Sequence, residues 1–120
     1  MKKILYFLLF VPVLVLGQNH VKTTTYRVPT TTSFGSPTVN QAVVEKVFTD
    51  GLDRPVQHIL HKQSASEKDI ITHIYYDDHG RQSRTYLPYV SDGSTMDFDE
   101  NAQSNTEVYY NKPEYQNTLN

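Results

Sequence analysis

Val43 Val44 Glu45 Lys46 Val47 Phe48 Thr49 Asp50 Gly51 Leu52 Asp53 Arg54 and Ile70 Ile71 Thr72 His73 Ile74 Tyr75 Tyr76 Asp77 Asp78 His79 Gly80 Arg81 are two versions of one phrase. Asp50 and Asp77, and likewise Arg54 and Arg81, stand 27 residues apart. Each copy runs apolar and β-branched residues into a turn signal, the pattern of a strand-turn-strand unit used twice. Four runs have strand character: Ala42 to Phe48, Val56 to Lys62, Asp69 to Tyr76 and Ser83 to Tyr89. Paired in order, they predict a mostly β fold of two antiparallel hairpins in a small sheet. In the second turn Asp77 can bond the backbone two residues on, and Gly80 takes positive φ without steric cost. The first turn begins Asp50 Gly51 but has Asp53 where the second has Gly80. If that position is left-handed, Asp53 carries a penalty of about 1 kcal/mol.

The shift by 27 also aligns faces, setting Val43, Glu45 and Val47 on Ile70, Thr72 and Ile74, and Val44, Lys46 and Phe48 on Ile71, His73 and Tyr75. Neither face is purely apolar. A sheet wet on one side would alternate cleanly, so the pattern predicts partial cover on both sides and a partner surface or a continuation to supply it.

Lys2 and Lys3 precede an apolar run from Ile4 to Leu16, which ends in Val15 Leu16 Gly17. This reads as a secretory signal over residues 1–17, with the mature chain starting at Gln18. The run is shorter than the roughly 20 residues a membrane-crossing helix needs. Export to the periplasm, cell surface or medium is the expectation, without membrane association after cleavage. The chain has no cysteine, which leaves neither disulfides nor a lipid-modified cysteine anchor.

With Lys2 and Lys3 removed, 9 basic residues face 13 acidic ones, and the basic residues are scattered. A nucleic-acid surface clusters them on one face, so that class is excluded. Residues 18–41 form a Thr-rich extended leader, in which at most Thr25 to Val28 makes an edge strand. Residues 42–90 hold the two hairpins and 19 of the 32 apolar residues beyond Gly17. Residues 91–120 read as a loop and a flexible, partly disordered tail: Ser91 to Asn105 is polar with isolated Met96 and Phe98, and Val108, Tyr109, Tyr110 and Tyr115 allow one short element.

No residue set reads as an active site. His58 and His61 lie three apart and face opposite sides of a strand, so they do not chelate together. Asp97, Asp99 and Glu100 lack calcium-loop spacing and read as a solvated acidic loop. Ser64, Ser66, His61 and Asp69 lie close in sequence, but no GxSxG elbow accompanies them. The reading is non-enzymatic, with no cofactor and no catalytic or metal-binding residue. Asp50 with Arg54, and Asp77 with Arg81, are read as structural, tying one hairpin to the next through charge-assisted bonds.

Tyr76 Asp77 Asp78 His79 Gly80 Arg81 matches the YDxxGR core of the YD repeat of RHS proteins, large secreted bacterial polypeptides whose β-hairpins wind into a hollow shell. Asp50 Gly51 Leu52 Asp53 Arg54 Pro55 Val56 Gln57 resembles the DGLGRPxQ motif of an uncharacterised domain, a domain of unknown function, that precedes such arrays. Ser64 to Ile70 and Tyr86 Leu87 Pro88 Tyr89 are similar to that domain's linker and exit strand, in the same order. The chain departs from the pattern at Thr49, where an aromatic is usual, and at Asp53, which replaces a glycine. The resemblance implies a structural motif at Asp50, Gly51, Arg54, Tyr76, Asp77, Gly80 and Arg81. It also implies a truncated copy or stand-alone leader of an RHS-type protein, partnered by a YD-repeat array in cis or in trans. The alternative is a small secreted glycan-binding protein, suggested by Tyr75, Tyr76, Tyr86 and Tyr89 as sugar-stacking rings.

Overall fold

The computed structural model describes residues 19–113. The expected signal sequence over residues 1–17, Gln18 and Tyr115 lie outside them. Five strands form one antiparallel sheet in chain order: β1 (His20–Tyr26), β2 (Ala42–Thr49), β3 (Pro55–Leu60), β4 (Ile70–His73) and β5 (Tyr89–Val90). One helix follows, α1 (Ala102–Tyr110).

The mostly β expectation holds, but the second hairpin is short. Of the run Ser83 to Tyr89, only the end joins the sheet: Tyr89 pairs with Ile71 and Val90 with Ile70, while Thr85 makes a lone bridge to Ile74. Pro88 has no N–H to give a ladder, which helps to keep the segment before it out of regular pairing. The extended leader differs in the other direction. β1 pairs along all seven residues from His20 to Tyr26, against the expected Thr25 to Val28. Threonine has the right backbone preference for a strand, and a preformed β2 edge supplies the partner that propensity alone lacks.

Register puts Lys46, Ile59, Ile71 and Tyr89 in one row across four strands, with Phe48 beside Gln57 in the next. On this face Phe48, Ile59, Ile71 and Tyr89 are buried together with Ala102 of α1. Each large side chain so buried contributes about 1.5–3 kcal/mol. The cover comes from residues 96–110: Met96, Phe98 and Tyr109 lie against the cluster, and Phe98 meets Phe48 edge-on at 5.2 Å. The polar segment Ser91 to Asn105, expected to be mobile, therefore supplies the lid of the core. Its two isolated apolar residues are the ones that insert.

The opposite face carries Val43, Glu45 and Val47 of β2, His58 and Leu60 of β3, Ile70 and Thr72 of β4, and Val90 of β5. All are half-buried. At its centre His58 Nε2 lies 2.5 Å from Glu45 Oε1.

Candidate functional site

The two turns of the repeat have the same hydrogen-bond network. In the first, Asp50 N–H donates to Arg54 O at 2.9 Å and Asp53 N–H donates to Asp50 O at 3.0 Å. Asp50 Oδ1 accepts from the N–H groups of Leu52 and Arg54, and Oδ2 accepts from Arg54 Nε at 2.9 Å. In the second, Asp77 N–H donates to Arg81 O and Gly80 N–H donates to Asp77 O. Asp77 Oδ1 accepts from His79 and Arg81 N–H, and Oδ2 accepts from Arg81 Nε at 3.1 Å. The backbone N–H of Arg54 or Arg81 is the main cause holding the two carboxyls below their ordinary value, acting against partial desolvation. Asp53 has φ 60° and Gly80 φ 74°, so the left-handed position is common to both copies and the first fills it with a non-glycine residue.

The expected tie between hairpins through these ion pairs is corrected by this geometry. Arg54 pairs with Asp50 at 2.8 Å and Arg81 with Asp77 at 3.1 Å, each inside its own turn. Four residues apart around a tight turn is the shortest route for a guanidinium, and it leaves no carboxylate oxygen aimed at the other copy. The link between turns is made by other groups. The Arg54 guanidinium lies 4.4 Å over the Tyr76 ring, and the Tyr76 hydroxyl donates to Pro55 O at 2.9 Å. A Cβ on Gly80 would come within 3.1 Å of Arg54 Nη1, so this glycine serves both its own φ and the neighbour's arginine. Gly51 has open space around it.

A second centre was not legible as such in the sequence. Asp69 is 3 % exposed. Its Oδ1 accepts from His61 Nδ1–H at 2.9 Å and from Lys62 N–H at 3.0 Å, and its Oδ2 accepts from Met96 N–H at 2.7 Å. Its own N–H donates to Gly93 O, and its carbonyl accepts from Ser91 N–H. One side chain thus joins the exit of β3, the start of β4 and the lid. Lys62, Glu67 and Met96 all have left-handed φ, between 52° and 56°, and all three line a cavity of about 520 Å³ with Lys22, Thr38 and His61. Asp69 holds two of these strained residues by their N–H groups.

Of the sequence-adjacent group Ser64, Ser66, His61 and Asp69, the structure joins His61 to Asp69. Ser64 Oγ accepts from Lys68 N–H at 2.8 Å and lies 3.2 Å from Ser66 Oγ. His58 and His61 engage different carboxylates, Glu45 and Asp69.

Residues 22–120 match the family described as a domain of unknown function (DUF6443). The chain belongs to this family. No curated protein and no solved structure matches it. The DUF6443 match begins inside β1 and runs through all five strands and α1, so the Thr-rich edge strand and the lid are included in the family unit.

Within the DUF6443 domain, Asp99 is more than part of a solvated acidic loop. Its backbone is gripped by the fully buried Gln57, whose Nε2 donates to Asp99 O and whose Oε1 accepts from Asp99 N–H, both at 2.9 Å. Its carboxylate accepts from the Tyr89 hydroxyl, from Asn105 Nδ2 at 2.7 Å and from Asn101 N–H at 2.9 Å. Partial burial works to raise the Asp99 carboxyl, but these hydrogen bonds and the nearby His73 outweigh it and hold it below the ordinary 3.8. Burial, then the Asp99 bond and charge, push the Tyr89 phenol well above its usual range. Burial also lowers His73 from 6.5, against the pull of Asp99. The tyrosines considered for sugar stacking have internal partners: Tyr89 is buried, Tyr86 meets His73 at 5.2 Å, Tyr75 lies under Arg84 and Tyr76 under Arg54.

Acid should destabilise the domain in two stages. His73 and Asp99 are both depressed on folding, so the unfolded chain binds more protons and stability falls as pH drops. The His73 contribution is complete above 6.5 and is lost as pH falls through its lower folded value; that of Asp99 is complete above 3.8 and is lost below it. Urea midpoints measured across this range should fall first below 6.5 and again below 3.8, with the second fall made smaller in Tyr89→Phe, whose Asp99 carboxyl lies closer to its unfolded value. A Tyr89→Phe profile parallel to wild type would show that the Tyr89 hydroxyl does not set the Asp99 carboxyl.

Proposed function

We propose that the chain is an exported, non-enzymatic structural module, the N-terminal part of an RHS/YD-repeat-type protein, which docks onto a YD-repeat array supplied in cis or in trans. The supporting observation is the pair of bond-for-bond equivalent Asp-x-x-x-Arg turns, one in a YDxxGR sequence, set in an open antiparallel sheet. Such a sheet has the geometry to continue into further hairpins, and its half-buried second face, apolar at Val43, Val47, Leu60, Ile70 and Val90, offers surface for them to cover. The signal-like pattern of residues 1–17 accords with export.

The test is direct binding. Residues 18–120 and a YD-repeat array polypeptide, purified separately and mixed, should sediment as one complex. Independent sedimentation at high micromolar concentration of both would refute docking.

A further inference from the structure

We propose that the outer edge of β1 takes an extended acidic strand, whose carboxylate side chains are received by Lys22 and the cavity behind it. The inference rests on the docking reading above and specifies the chemistry of the partner.

The backbone is the first argument. Arg27 N–H donates to Gln41 O at 2.8 Å and Thr49 N–H donates to Asn19 O at 2.9 Å, which sets the odd-numbered residues of β1 toward β2. By the alternation of an antiparallel ladder, Lys22 and Thr24 turn their N–H and C=O groups outward. β1 is exposed along its length except for the half-buried Tyr26. It has no proline, and its register with β2 runs unbroken from His20 to Tyr26. Edge strands are ordinarily blunted by shortness, bulges, proline or a charged side chain, and of these β1 has only the last, Lys22, which repels a basic strand and admits an acidic one.

Charge is the second argument. Lys22 stands directly opposite Lys46 on the lid side of the sheet, a like-charge cross-strand pair. Lys62 lies across the cavity from β1, and among the lining residues Lys22 and Lys62 face one carboxylate, Glu67. The ion pairs among the described residues are Arg54–Asp50, His58–Glu45, His61–Asp69 and Arg81–Asp77, so none of these three lysines has a carboxylate partner among the described residues. Lys46 Nζ donates to Met96 O at 3.1 Å. Asp69, beneath the cavity, already has its oxygens committed to His61, Lys62 and Met96. A strand paired to β1 sets the residue opposite Lys22 on this same face, where a glutamate or aspartate meets the Lys22 ammonium, while Lys46 is already engaged by Met96 O and the Phe48 ring. A second copy of β1 would instead bring two Lys22–Lys46 pairs together, so the same lysines select against self-pairing.

The probe is an end-capped peptide alternating glutamate and valine, compared with its lysine counterpart by fluorescence polarisation on the full chain. The glutamate peptide should bind at least about tenfold more tightly. Lys22→Glu should reverse that preference. Thr24→Pro removes an outward N–H while leaving the β1–β2 ladder intact; it should abolish peptide binding with an unchanged melting curve. Equal binding of the two peptides overturns the proposal, as does undiminished binding by Thr24→Pro. Sedimentation of the wild type as a dimer that Thr24→Pro dissolves would give the edge to a second copy and also overturn it. If wild type and Thr24→Pro bind the array equally, this inference fails and the docking reading stands. If the wild type binds the acidic peptide but not the array, the docking reading fails while β1 keeps its acidic-strand specificity.

Discussion

Asp69→Ala is expected to cost about 3–5 kcal/mol, enough to remove most of the stability of a domain this small. The carboxylate is buried and accepts three hydrogen bonds, from His61 Nδ1–H and from the backbone N–H groups of Lys62 and Met96. Alanine leaves both backbone donors unsatisfied in a water-poor site, each at about 1–3 kcal/mol, and leaves the His61 ring without its partner. Lys62 and Met96 are also held in left-handed backbone conformations, which only surrounding bonds keep populated. Urea unfolding followed by far-UV circular dichroism should show a broad transition or none. A midpoint close to wild type would mean that water or a neighbour replaces the carboxylate, and Asp69 would lose its place as the joint between sheet and lid.

The second large effect is expected at Gln57. Gln57→Leu keeps the volume but removes both hydrogen bonds to the Asp99 backbone, at a cost of about 2–4 kcal/mol. Its consequence is regional as well as global. Gln57 is the clamp between the sheet and residues 96–110, so releasing it loosens Phe98 from Phe48 and frees the Asp99 carboxylate from Tyr89. Hydrogen exchange should therefore accelerate across residues 96–110 more than in β2 and β3. Uniform acceleration over the whole sheet would show that lid and sheet open as one unit, and that Gln57 is ordinary core. In the DGLGRPxQ-like stretch, this is the glutamine that closes the motif, and the clamp gives that position a physical reason.

How much of this was legible follows the range of the interactions. β2, β3 and β4 were readable because their apolar, β-branched runs are continuous and end in turn chemistry that is local to each run. The left-handed φ at Asp53 was readable by alignment with Gly80, since both copies build the same turn from residues four apart. β1 was underestimated because a threonine run states a preference without a burial pattern, and its side chains remain exposed even after pairing. The helix α1 corresponds to the one short element allowed around Val108 to Tyr110, and its type and start are not legible because its face toward the sheet is small: of Ala102 to Tyr110, only Ala102 and Thr106 are buried. Such a helix carries almost no apolar periodicity to detect.

The candidate sites divide in the same way. Asp50 pairs with Arg54 and Asp77 with Arg81, each inside its own turn, and that direction was not available from spacing. Whether a guanidinium reaches its own turn or the next depends on where the turns sit in space. Asp69 and Asp99 have partners nearby in the chain, but the bonds that join lid to sheet reach 27 residues, to Met96, and 42 residues, to Gln57, and no local pattern records them.

By itself, then, the sequence determined the class of fold, the place and chemistry of the two turns, and the presence of a sheet whose faces are both mixed. Each of these is written in residues that touch within a few positions, where the period of a strand and the φ preference of a turn leave little choice. Only the tertiary structure decided that the polar segment after Val90 closes the core, that among the described residues β1 is the edge of the sheet, and that Lys22 stands opposite Lys46 and lines a cavity with Lys62. Those outcomes depend on long-range contacts, and a polar residue's role is set by which distant N–H or carboxylate it meets when the chain closes on itself.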